Sequence, residues 1–272
     1  MDPGGHAEVH AYYGRDEERE RLDAALGVVE FERTKEIITR HLQPPPATVA
    51  DIGGGPGRYS IWLAEGGYRV HHRDLVPLHV EHAKRDAAAA NVEIDSREGD
   101  ARAVDLPDAS VDAVLLLGPL YHLPKRADRI AALREAGRIV RAGGFVFAAA
   151  ISRWAARLHG VLVERIHEKF PDVLDLLGEV ERSGRLPPLH EGAFAGFTHR
   201  PRELRTEARV AGLDPIDLVG VEGLAFALPD LETLLETGLG RQIVFDAARA
   251  FERVPELLGL GPHLILTAQR RA

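Results

Sequence analysis

The segment VADIGGGPGRYS, residues 49–60, constrains the fold more than any other part of the chain. An apolar run ends in Asp51 and is followed by glycines at 53, 54, 55 and 57. The run predicts a buried strand, and the residues after it predict a helix. Glycines between a strand and a helix let a ligand lie against bare backbone, because no Cβ intervenes and positive φ is open to them. The spacing is Gly53-x-Gly55-x-Gly57, whereas a dinucleotide fingerprint wants Gly or Ala where this chain has Arg58. A merely tight turn is the plain alternative.

The rhythm around the segment points to one architecture. Residues 16–42 carry helical periodicity, stopped by the prolines at 44–46. Strands are expected at 48–52, 68–75, 92–100, 111–120 and 145–151, with helices at 57–65, from Pro77 through 90, and at 125–140. Strands that are apolar throughout and alternate with helices predict an α/β fold with a parallel sheet covered on both faces. Residues 152–199 break the rhythm and read as a helical cap insertion. A helix at 200–213 and strands at 215–223 and 263–271 complete the core, with a further helical insertion at 224–258. The expected division is an N-terminal helical segment (1–46), a cofactor-binding Rossmann-like core (47–151), the cap (152–199) and the completion of the core (200–272).

Composition removes several functions. A net charge of −8 argues against nucleic acid or anionic membrane as partner. With no cysteine among 272 residues, there are no disulfides, thiolate metal sites or cysteine nucleophiles. The longest apolar runs, such as VLLLGPL, fall well short of the ~20 residues of a membrane helix. A cytoplasmic protein, monomeric or homodimeric, is expected.

Two acids strengthen the nucleotide reading. Asp74, with Leu75 beside it, ends the second strand, where an acid can accept from both ribose hydroxyls. Asp100, followed by Ala101, ends the third, where it can accept from an adenine amino group. The histidine pairs His71/His72 and His79/His82 have only weak ligand spacing, and no metal site is expected.

VADIGGGPG, the acid after strand two, GDA after strand three and LLLGPLYHL on strand four together resemble a class I S-adenosylmethionine-dependent methyltransferase of the small-molecule, ubiquinone/menaquinone-biosynthesis type. The resemblance covers roughly 45–150 and the closing elements. It implies a Rossmann-like, seven-stranded, mostly parallel sheet whose last strand is antiparallel. It also implies that the loop of Gly53, Gly55 and Gly57 holds the methionine end, Asp74 the ribose and Asp100 with Ala101 the adenine. The Leu117 backbone would lie near the methionine part.

With S-adenosylmethionine as cofactor, no phosphate-binding lysine is needed, and none is present in the loop. Asp51 is a candidate acceptor for its ammonium. Arg33 can hold its carboxylate through two parallel bonds, or be an ordinary surface arginine. Tyr12 and Tyr13 either close over the cofactor or anchor a core. His122, just past strand four, is the candidate catalytic base toward an oxygen or nitrogen acceptor. Tyr121, His190 and His199 are candidate substrate contacts. The expected acceptor is a small organic molecule or a peptide end. The rivals are a nicotinamide-dependent oxidoreductase, disfavoured by Arg58, and a non-catalytic cofactor-binding regulatory protein, which fold alone does not exclude. An aminopropyl transferase would want an acidic pair after strand four, which GPLYHL lacks.

Overall fold

The computed structural model describes residues 21–188 and 195–271. Five strands alternate with four helices at the start: α1 (Ala25–Thr39), β1 (Thr48–Ile52), α2 (Arg58–Glu65), β2 (Arg69–Asp74), α3 (Pro77–Ala89), β3 (Asp95–Glu98), β4 (Val111–Leu116), α4 (Arg126–Ile139) and β5 (Val140–Ser152). Then come α5 (Val173–Ser183), β6 (Arg185–Leu186), β7 (Gly196–His199), α6 (Pro201–Val210), β8 (Leu213–Gly220), α7 (Leu231–Glu236), α8 (Gly238–Phe251) and β9 (His263–Arg270).

The main sheet runs β3-β2-β1-β4-β5-β9-β8, parallel except for β9, which is antiparallel to both neighbours. Side-chain alternation along its central strands explains why both faces are covered. Val49, Ala113 and Leu115 pack toward α1 and α2 with Ile38 and Leu63. Their neighbours Ala50, Val114 and Leu116 pack the other way, against Leu133 of α4 and Leu204 of α6.

Several expectations need correction. The sheet has nine strands, not seven. The two additional strands, β6 and β7, come from the segment expected to be wholly helical. β7 pairs with residues 151–152 of β5, while β9 holds the opposite edge of β5 there. Thus β7 continues the β4 side past the end of β4. Between 152 and 173 the chain makes only a wide turn at Ala156–Val161 and a tighter one at Ile166–Glu168. The first helix is interrupted at Ala24, whose extended backbone separates α1 from the short turn Arg21–Asp23. β5 begins at Val140 rather than after the glycines at 143 and 144, because Val111 already pairs with Val140 and the intervening residues bulge.

Buried ion pairs tie the insertions to the core. Arg129 of α4 forms a two-bond pair with Glu207 of α6, at 2.9 and 2.7 Å. Glu207 also meets His199 Nε2 at 3.2 Å. Arg153 donates to the carbonyls of Thr198 and Glu181, both at 3.1 Å, and to Glu203.

Candidate active site

The C-terminal ends of β1 and β4 open into a pocket of about 670 Å³, part of it open solvent. Open α/β sheets place ligands at such an edge, where strand order reverses. Here the reversal falls between β1 and β4.

One wall is the glycine loop. Gly53 has φ +69°, and a Cβ there would lie 2.5 Å from Pro119. Gly57 has φ +88°, and its Cβ would strike Ala83 of α3 at 2.8 Å. Both positions therefore require glycine. The loop is pinned from two sides. Gly55 N–H donates to Asp74 Oδ2 at 2.8 Å, and Gly55 C=O accepts from His72 Nε2 at 3.0 Å. His72 Nε2–H makes that bond, and its Nδ1 lies 2.8 Å from Ser96 Oγ.

Asp51 is fully buried beneath this loop. Its Oδ2 accepts from Ser60 Oγ at 2.7 Å, while Oδ1 has no hydrogen-bond partner among the described residues. Burial raises its carboxyl above the usual range, more than His72 and Ser60 lower it. Such an oxygen at the pocket floor fits a ligand ammonium.

Asp74 is more constrained than a simple ribose ligand. Its Oδ1 accepts from Val76 N–H at 2.9 Å and from His79 Nδ1 at 3.1 Å. Burial alone would raise its carboxyl, but the bond and charge of His79, with Val76, outweigh it and hold the group low. Asp100 lies two strands out from β1 and is gripped by Arg102, at 2.7 Å from Nη2. Leu75 and Ala101 are half-buried beside these acids.

Leu117 and Tyr121 border the pocket, and His122 does not. The turn Pro119–His122 sets the Tyr121 and His122 rings 4.8 Å apart. His122 feels the charges of Asp74 and His79. Burial pushes its imidazole down to about 4, against the attraction of Asp74 and with the repulsion of His79.

The facing wall was not foreseen. Glu30 and Thr34 lie one turn apart on α1 and border the pocket with His263, the first residue of β9. His263 Nδ1 donates to Glu222 Oε1 at 2.5 Å, and its backbone N–H donates to Glu222 Oε2 at 3.1 Å. Glu30 Oε2 stands 3.8 Å from the same Nδ1. Because β9 runs antiparallel, its first residue sits at the edge where the parallel strands end. A histidine and an acid at two strand ends were the available signal.

Two expected site residues belong elsewhere. Arg33 is buried in an ion network, bonded to Glu252 and Glu36 and, at 3.4 Å, to the Val221 carbonyl. It clamps α1 onto the end of β8 instead of facing the pocket. His199 is fully buried against Glu207, shut away by the packing of α4 and α6. Tyr12, Tyr13 and His190 lie outside the described residues. Among the described residues the donors that converge, within 4.8 Å, are Glu30, Glu222 and His263 rather than the pairs His71/His72 and His79/His82.

The Methyltransferase domain family matches residues 49–144. The ubiquinone biosynthesis O-methyltransferase of Xanthomonas campestris pv. campestris (strain B100) is 32% identical over 188 residues, covering 68% of this chain and 70% of that protein. The chain belongs to the S-adenosylmethionine-dependent methyltransferases. Among solved structures of this family, a possible histamine N-methyltransferase from Thermotoga maritima superposes with a TM-score of 0.61 at 18% identity, over 97% of this chain and all of that one. The geranyl diphosphate C-methyltransferase of Streptomyces coelicolor A3(2), solved with S-adenosyl-L-homocysteine, reaches 0.55 at 17% identity, over 88% and 79%. Matches to the first curated relatives span from 40% to 70% of their length. In this methyltransferase no helix among the described residues is long and apolar enough to cross a membrane.

Proposed function

We propose that the chain transfers the methyl group of S-adenosylmethionine to the hydroxyl oxygen of a small organic molecule. The observation that carries this reading is the polar wall of Glu30, Thr34 and His263, set across the pocket from the glycine loop and otherwise flanked by apolar Ala149, Val221 and Ile265. The apolar residues suit the carbon skeleton of an acceptor and the polar ones its hydroxyl. The curated relatives are O-methyltransferases, which supports oxygen over nitrogen.

When bound, the cofactor supplies a methyl group on a sulfonium. The protein's part is binding and alignment, which can contribute ~7–11 kcal/mol when the reacting atoms are held in line. In this reading Asp51 Oδ1 accepts from the ammonium, and the positive-φ loop lets the methionine end lie against backbone. Asp74 holds the ribose by a single hydroxyl. A carboxylate has about four acceptor sites, and protein groups fill three of them, leaving one on Oδ2. Calorimetry should show saturable S-adenosylhomocysteine binding, and labelled methyl should appear on phenols and alcohols of a screening panel. Absence of binding at millimolar ligand, or label on amines only, overturns the reading.

A further inference from the structure

We propose that His263, oriented by Glu222, accepts the proton of a phenolic hydroxyl on the methyl acceptor. This rests on the methyl-transfer reading above and gives it a base.

The imidazole is held as a base needs to be held. Glu222 is fully buried and grips both the ring and the backbone of the same residue, fixing the ring's position and placing the proton on Nδ1. With that nitrogen protonated, Nε2 carries the lone pair on the far side of the ring. A base oriented by a buried carboxylate is the recurring arrangement for taking a proton from a hydroxyl. The carboxylate also stabilises the imidazolium that forms, and Glu30 adds a second negative group 3.8 Å from Nδ1. His122 does not border the pocket.

The step balances. The acceptor oxygen bonds the methyl carbon, the carbon–sulfur electron pair returns to sulfur, and the hydroxyl proton passes to Nε2. A neutral ether and a neutral thioether leave an imidazolium paired with Glu222. A phenol suits this base because it still carries its proton at neutral pH and becomes far more acidic as its oxygen is alkylated. The other titratable groups bordering the pocket are Glu30, Asp51, Arg58, Tyr59 and Tyr121.

The test uses 3,4-dihydroxybenzoate as acceptor probe. His263→Asn should slow labelled-methyl transfer by about 10²–10⁴-fold. Its affinity for S-adenosylhomocysteine should stay within about threefold of wild type, as expected of a group acting on the acceptor. Glu222→Gln removes the charge that favours the imidazolium. The His263 NMR titration midpoint, read on the S-adenosylhomocysteine complex, should fall, and the acid limb of kcat/KM should move to lower pH with it. His263→Asn at wild-type rate overturns the proposal, as does an unmoved midpoint in Glu222→Gln. Lost cofactor affinity in His263→Asn would make the residue a cofactor ligand, and loss of transfer on EDTA treatment would make the cluster a cation site. No transfer to the probe by wild type that binds S-adenosylhomocysteine overturns the phenolic acceptor. Wild type that binds no S-adenosylhomocysteine fails the underlying reading instead.

Discussion

The glycine wall of the pocket draws Asp51, the loop, His72 and Asp74 from one βαβ unit. The facing wall takes Glu30 from α1, Glu222 from just past β8 and His263 from β9, elements remote in sequence that meet only when the sheet is complete. The first wall is local and held by hydrogen bonds from nearby side chains to the loop backbone. The second is assembled by tertiary contacts and held by charge. In the proposed reading, the half that would recognise a shared cofactor is a short motif, while the half that would meet the acceptor depends on how distant elements pack.

The sharpest way to break this comparison is at Asp74. Asp74→Ala strips an acceptor from Gly55 and Val76 and removes the proposed ribose contact, so the loop loses its support along with its ligand. One hydrogen bond to a charge, worth ~1.5–3 kcal/mol, predicts a fall in S-adenosylhomocysteine affinity of about 10–10²-fold by calorimetry. A loss below tenfold would mean that His72 alone secures the loop.

Glu252→Ala probes the other wall. Glu252 pairs with the buried Arg33 and, at 2.8 Å, with Arg40, and its carbonyl accepts from Gly220 N–H at 2.9 Å. Removing one partner of a buried pair costs about 3–5 kcal/mol. The low end is expected, because Glu36 still contacts Arg33. Urea unfolding should show that loss, and kcat/KM should fall more than cofactor affinity. Equal losses in both would dissolve the distinction between the walls.

The same contrast explains what was legible in the sequence. The strand–glycine–helix motif, Asp51, Asp74 and the order of the early elements are local patterns, and residues 48–139 follow the expected rhythm closely. Arg33 misled because its charge suggested a ligand, whereas its partner Glu252 comes from far along the chain. His263 was overlooked because nothing near it in sequence marks it; Glu222, which gives it meaning, lies across an antiparallel pairing. β7 was hidden for a like reason: four residues, Gly196–His199, become a strand only because the end of β5 offers an open edge.

A smaller effect sharpens the first wall. The folded protein raises the Asp51 carboxyl, so wild type loses stability as pH climbs from the unfolded carboxyl value through the folded one. Asp51→Asn removes that slope. Its urea midpoint at pH 7 should exceed that of wild type, while S-adenosylhomocysteine binds roughly tenfold more weakly for want of a charged acceptor. A variant less stable at pH 7 would show that the charge is compensated in the free protein.

The smallest effect concerns His122. Its imidazole is held down at about 4, so it adds stability that is complete above the ordinary histidine value and drains away as pH falls from 6.5 to about 4. His122→Gln should flatten the stability profile in that window and leave turnover at pH 7.5 within a few-fold of wild type. A large loss of turnover would return the base to this residue and away from the facing wall.

The antiparallel strand carries a consequence for biosynthesis. β9 lies between β5 and β8, pairing with β5 from Phe145↔Gln269 to Ile151↔His263. A nascent chain halted before residue 263 has already translated everything that builds the glycine wall, yet β5 and β8 still expose unfilled hydrogen-bonding edges to other chains. Emergence of eight further residues, His263–Arg270, closes both edges at once and delivers His263 to the pocket. A chain that stops short of β9 would therefore carry the glycine wall in its sequence while lacking both the closed sheet and the histidine proposed as base.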